Sequence, residues 1–117
     1  MEMEISVELH FSSAHHLPLH EGACRRLHGH NYRLRVTLGG MPEGGSGMLM
    51  DFETLKKKVW DTCLVEVDHR NLNDIFENPT AENMLLWLWK RLEPEFKNLK
   101  ELVLWETPEY LVTLRKS

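Results

Sequence analysis

The chain predicts an α+β domain in which an antiparallel four-stranded sheet carries two helices on one face. Three observations give this. Two runs with period-two apolar alternation open the chain, two runs with helical spacing fill its middle, and two short strand-like runs around Thr107-Pro108-Glu109 close it. The order is strand, strand, helix, helix, strand, strand, and an antiparallel sheet tolerates helices on one face and water on the other. With 117 residues, 42% hydrophobic, and neither a repeat nor a low-complexity tract, one domain spanning 1–117 is expected. A domain this small keeps much apolar surface near its boundary, so burial against sister subunits would add stability.

In the first strand Met3, Ile5, Val7, Leu9 and Phe11 alternate with Glu4, Ser6, Glu8 and His10. In the second, Tyr32, Leu34, Val36 and Leu38 alternate with Arg33, Arg35 and Thr37, and Gly39-Gly40 ends it. On the polar side Glu4 and Glu8 share a face with Arg33 and Arg35, which reads as mild cross-strand charge pairing on a solvated surface. Residues 41–47, with Pro42 and three glycines, form a loop. Helix one follows the N-cap Asp51 and carries Phe52, Leu55, Val59, Cys63 and Val67 at three- and four-residue spacing. A polar stretch over 68–78 leads to Pro79-Thr80. Helix two then presents Ala81, Leu85, Leu88 and Leu92 on one face, has Glu82 in its first turn and ends before Pro94. Residues 101–106 and 110–115 make the closing hairpin.

Composition excludes several classes. The formal charge is −4, from 18 acidic and 14 basic residues with no basic block, which argues against a nucleic-acid partner. No apolar run approaches membrane-spanning length, and Met1-Glu2-Met3-Glu4 does not resemble a leader, so no membrane partner and a cytoplasmic location are expected. Two cysteines, Cys24 and Cys63, make no disulfide framework. Cys63 falls in the apolar stripe of helix one and reads as a small buried hydrophobe.

The concentration of histidine needs a chemical reason. His10, His15, His16, His20, His28 and His30 all lie within the first 30 residues. His28-Gly29-His30 sets two imidazoles on one side of an extended segment. If the strands continue without a bulge, His28 and His30 share parity with Tyr32 and Leu34, and His15 shares parity with Leu9 and Phe11. Antiparallel neighbours would then bring His15 beside the pair. Three nitrogen ligands with an open fourth position is the pattern of a catalytic zinc site. Cys24, preceded by Ala23 and followed by Arg25-Arg26, reads equally as a fourth ligand closing a structural site or as a poised thiolate base. Asp68-His69 and Glu106 read, from the residues alone, as a capped turn and an exposed strand end.

Together Phe11-Ser12-Ser13-Ala14-His15, Cys24-Arg25-Arg26-Leu27-His28-Gly29-His30-Asn31-Tyr32, Met50-Asp51-Phe52, Asp68-His69, Leu72-Asn73, Pro79-Thr80-Ala81-Glu82-Asn83 and Trp105-Glu106-Thr107 resemble the 6-pyruvoyltetrahydropterin synthase and 6-carboxytetrahydropterin synthase family over nearly the whole chain. The resemblance implies a tunnelling fold (T-fold), assembly into a homohexamer built as a dimer of trimers, and a pterin substrate, 7,8-dihydroneopterin triphosphate. It implies Zn2+ held by His15, His28 and His30, with Cys24 as proton-transfer base and Asp68 and His69 completing the relay from a neighbouring subunit. It further implies Glu106 as the anchor of the pterin ring, with Thr80 and Glu82 lining the pterin pocket. Ala81 departs from relatives that carry a second hydroxyl residue there.

The Cys-x-x-x-His-x-His spacing resembles the 6-carboxy-5,6,7,8-tetrahydropterin synthases of 7-deazaguanine (queuosine or archaeosine) biosynthesis, which also release acetaldehyde and triphosphate. The animal-type enzyme, which stops at 6-pyruvoyltetrahydropterin, typically has two more residues in that gap and is the alternative. A non-catalytic, zinc-stabilised binding module is the alternative of a different class, and metal removal would distinguish it by unfolding the protein.

Overall fold

Alternation carries β1 (Met3–His15) and β2 (His28–Gly40) further than their apolar runs alone indicate, in a computed structural model that describes residues 1–117. The two strands pair antiparallel in unbroken register from Met3↔Gly40 through Val7↔Val36 to His15↔His28. No bulge interrupts this ladder, so side-chain parity persists from the core out to the histidines. β3 (Leu99–Trp105) adds to β2 with one register shift at Thr37/Leu38, and β4 (Leu111–Arg115) adds to β3, giving the sheet order β1-β2-β3-β4.

Helix α1 (Phe52–Val59) is capped by Asp51, whose carboxylate accepts from the Thr54 amide at 2.9 Å. It continues through a π-helical segment, Trp60–Leu64, into a last turn, Val65–Val67. Of the expected stripe Leu55, Val59, Cys63 and Val67 are buried, but Phe52, in the first turn, is 58% exposed, and the wider turn brings in Leu64, which simple helical spacing misses. Helix α2 (Ala81–Leu92) is capped by Thr80 and buries Met84, Leu85, Leu88 and Leu92. These side chains pack with Val7, Leu9, Phe11, Tyr32, Leu34, Val36 and Leu38 of the sheet, and Phe96 closes the end.

On the other face Arg35 Nε donates to Glu8 at 3.0 Å and Arg33 lies 3.7 Å from the same carboxylate, the pairing that parity predicts. Both guanidiniums stack over Trp105, at 3.9 and 5.0 Å from its ring centre. The outer edges of β1 and β4 have no neighbouring strand. Only the site end of β1 is covered, by 68–71: Ser12 N donates to Asp68, His69 N to Ser12 O, and Ala14 N to Arg70 O.

Candidate active site

The register pair His15↔His28 sets two imidazoles side by side at the end of the hairpin, and His30 joins them one pleat further along β2. Their ligand atoms lie within 4.8 Å of one another. His15 is fully buried, and His28 and His30 are partly so.

Hydrogen bonding fixes which nitrogens face inward. His15 Nδ1 lies 2.9 Å from Pro79 O and His28 Nδ1 lies 2.7 Å from Arg26 O, and since a carbonyl only accepts, both rings carry their proton on Nδ1. Their Nε2 atoms therefore present lone pairs to each other at 3.0 Å with no hydrogen between them. His30 Nε2 is buried and has no hydrogen-bond partner. Two facing nitrogen lone pairs and a third buried, unpartnered ring nitrogen suit a bound cation, and carbonyls that orient the His15 and His28 rings from behind are the usual outer layer of a metal site. Tyr32, stacked on Phe11 with ring centres 4.8 Å apart, brings its hydroxyl to 3.3 Å from His15 Nδ1.

Electrostatics favour the neutral form of His15 and His30. Burial pushes His15 down to about 4, against the raising effect of the Pro79 carbonyl and with help from His30, His28 and His16. Burial also lowers His30, opposed by the Glu106 carboxylate and reinforced by His28. A neutral imidazole is the form that binds metal.

Glu106, just past the end of β3, has the parity of Leu102 and Leu104 and so faces the histidine side of the sheet. Its Oε1 is 3.5 Å from His30 Nε2. It lines a cavity of about 240 Å³ with Glu82 and Tyr110, so two of the expected pterin residues share one space. Thr80 is not in that lining, and its Oγ1 accepts from Asn83 N at 3.1 Å as the helix cap.

Cys24 sits in a short 3₁₀ turn, Ala23–Arg25, within the loop joining β1 to β2. Its carbonyl accepts from Leu17 N at 2.7 Å, and its thiol is partly exposed and outside the histidine group. Asp68 and His69 lie at the free edge of β1. His69 Nδ1 is 2.8 Å from the Asp68 carboxylate, and the imidazole is 80% exposed on a residue with φ of 55°. Burial works against the Asp68 carboxylate, but bonds from the Ser12 amide and His69 hold it below the usual carboxylate range. Sequence reasoning missed Tyr32, Pro79 and Arg26 as supports of the ligand rings. For the two carbonyls no residue-type signal could have found them, because the main chain provides the contact.

Comparison with known proteins identifies the family and the fold. A family model described as 6-pyruvoyl tetrahydropterin synthase matches residues 4–117. Over 117 residues the chain is 42% identical to the dihydroneopterin monophosphate aldolase of Pyrococcus furiosus, covering 97% of this chain and 98% of that one. Over 92 residues it is 44% identical to the 6-carboxy-5,6,7,8-tetrahydropterin synthase of a Synechocystis strain, covering 74% and 71%. Its structure is similar to that of Caenorhabditis elegans 6-pyruvoyl tetrahydropterin synthase, with a TM-score of 0.88, 30% identity, and coverage of 100% and 97%.

Proposed function

Because the chain belongs to the 6-pyruvoyl tetrahydropterin synthase family and has its tunnelling fold, we propose that it is a zinc-dependent lyase acting on 7,8-dihydroneopterin triphosphate. The products are 6-carboxy-5,6,7,8-tetrahydropterin, acetaldehyde and triphosphate, in the 7-deazaguanine route. The observation that carries this reading is the convergence of His15, His28 and His30 beside Glu106, which sets a metal-binding triad next to an acceptor for a pterin ring.

In this reading the three Nε2 atoms hold Zn2+, which when bound acts as a Lewis acid on the oxygens of the substrate side chain and acidifies the adjacent C–H. Glu106 accepts the amino and ring N–H groups of the pterin as a bidentate carboxylate, with Glu82 across the pocket. Cys24 exchanges protons at the side-chain carbons. Its place outside the histidine group supports the base over the fourth ligand. His69, oriented by Asp68, serves as the acid–base partner for a neighbouring subunit. Its exposure at the edge of β1 and the unpaired outer edges of β1 and β4 support a homohexamer in which strand edges meet. A fully active monomer in sedimentation at micromolar concentration would contradict the shared site.

The test is incubation of zinc-loaded protein with 7,8-dihydroneopterin triphosphate and mass analysis of the products. 6-Carboxytetrahydropterin with acetaldehyde is expected. 6-Pyruvoyltetrahydropterin as the end product would replace this reading with the alternative that stops there. One observation favours a second reading, cleavage of dihydroneopterin monophosphate: the Pyrococcus furiosus relative matches end to end, whereas the Synechocystis match covers about three quarters of each chain. The monophosphate in a parallel incubation distinguishes the two.

A further inference from the structure

The loop that carries Cys24 also carries two guanidiniums without a counter-charge. Arg33 and Arg35 meet Glu8, Arg91 meets Glu66 and Arg115 meets Glu101. Arg25 and Arg26 are exposed, adjacent, and absent from every ion pair in the chain. They line a cavity of about 630 Å³ with Glu21, Gly22 and Ala23, and the one carboxylate of that lining, Glu21, pairs with neither. Arg70 also lacks a carboxylate partner, but it lines the separate cavities beside Ser12 and beside Glu66.

The position of the pair is fixed by the backbone. Arg25 N donates to Gly22 O at 3.2 Å and Arg26 N to Ala23 O at 3.0 Å, while the Leu17 amide ties the turn to the end of β1. The Arg26 carbonyl is the acceptor that orients His28. The two residues from Arg26 to His28 span at most about 7 Å of chain, within the reach of an arginine side chain. The triad therefore has two distinct sides. Glu106 stands next to His30, and Arg26 next to His28. A ligand whose ring is held at Glu106 and which extends past the triad reaches the His28 side, where the Arg26 main chain lies.

We propose that Arg25 and Arg26 bind the phosphate ester tail of the pterin substrate. The inference rests on the phosphorylated-pterin reading above and assigns that substrate a second anchor. Guanidinium forks match phosphate oxygens in pairs, and two unpaired forks on one hydrogen-bonded turn can engage a polyanion together. Glu21 leaves the lining with a net positive charge and disfavours a second anion.

Fluorescent neopterin triphosphate and neopterin are oxidised pterins that differ only in the tail, so titrating each into zinc-loaded protein isolates the contribution of the phosphates. The variants are Arg25→Gln, Arg26→Gln and the double change, with Arg26→Lys as the conservative control and zinc content measured throughout. Each Gln change should weaken neopterin triphosphate by about tenfold and the double change by about a hundredfold, with stronger effects at low salt. Neopterin affinity and zinc content should stay at wild-type values, Arg26→Lys should retain part of the affinity, and KM for the phosphorylated substrate should rise more than kcat falls. Equal affinity of the double variant and wild type for neopterin triphosphate would overturn the assignment. So would an equal loss for neopterin, which would mean that the turn supports the whole site. A wild-type protein that binds neither pterin would instead refute the substrate reading on which the inference stands.

Discussion

Glu106 Oε1 lies 3.5 Å from His30 Nε2, so the carboxylate after β3 and the second histidine of the His-Gly-His segment on β2 face one another across neighbouring strands. A carboxylate and a candidate metal ligand thus come from one sheet face of one chain. Replacing Glu106 with Gln keeps an acceptor but removes the charge-assisted bonds to the pterin N–H groups. Pterin affinity should fall by about ten- to a hundredfold while zinc is retained. Fluorescence titration with neopterin measures this, and unchanged affinity would remove Glu106 from the pterin pocket.

The facing Nε2 lone pairs of His15 and His28 set the expectation for the metal. About one zinc per chain should be bound, and Ala at His15, His28 or His30 should lower it sharply, whereas Ala at His10, His16 or His20 should leave it unchanged. Elemental analysis of the purified variants decides the point. Full zinc in the His28 variant would refute the ligand set.

Cys24 and Cys63 should separate in both chemistry and catalysis. Cys63 is fully buried, and burial pushes its thiol up to about 12, while Cys24 is partly exposed. Iodoacetamide on the native protein should modify Cys24 and spare Cys63. Cys24→Ala should keep zinc and pterin affinity yet lose on the order of 10²–10⁴ in turnover, the usual cost of removing a general base. Metal loss in this variant would point to a fourth ligand.

Asp68 should make stability pH-dependent in a definite direction. Its carboxylate is held below the value near 3.9 that it has unfolded, so its contribution is complete above that value and is lost as pH falls through the lower folded one. Asp68→Asn should therefore be destabilised relative to wild type at neutral pH, with the gap closing in acid. Denaturant unfolding at pH 7 and near pH 3 measures the gap, and a gap independent of pH would refute an ionic role.

Leu64 reports on the π-helical segment. It is fully buried in the core, whereas Leu86 on α2 is 53% exposed. Leu64→Ala should cost about 2–5 kcal/mol and Leu86→Ala within about 0.5 kcal/mol. Equal effects would mean that the widened turn does not carry Leu64 into the core.

Much of this protein is legible in its residues because much of it is periodic. Alternation from Met3 to Phe11 and from Tyr32 to Leu38 determined two strands and their buried faces, and the spacing behind Asp51 and Thr80 determined two helices, the first with its cap. Parity extended along β1 and β2 put His15, His28 and His30 on one face. Side-chain direction alternates strictly as long as a ladder has no bulge, and that depends on the chain's own sequence. Other features depend on contacts between distant segments. Only the tertiary structure decided that Pro79 and Arg26 carbonyls turn two lone pairs inward, that Leu64 enters the core through a π-helical turn, that Thr80 caps a helix, and that the 68–71 segment lies against the edge of β1. Main-chain acceptors carry no residue signature, and a helical register can shift by one residue to follow packing, so neither can be read before the chain is folded.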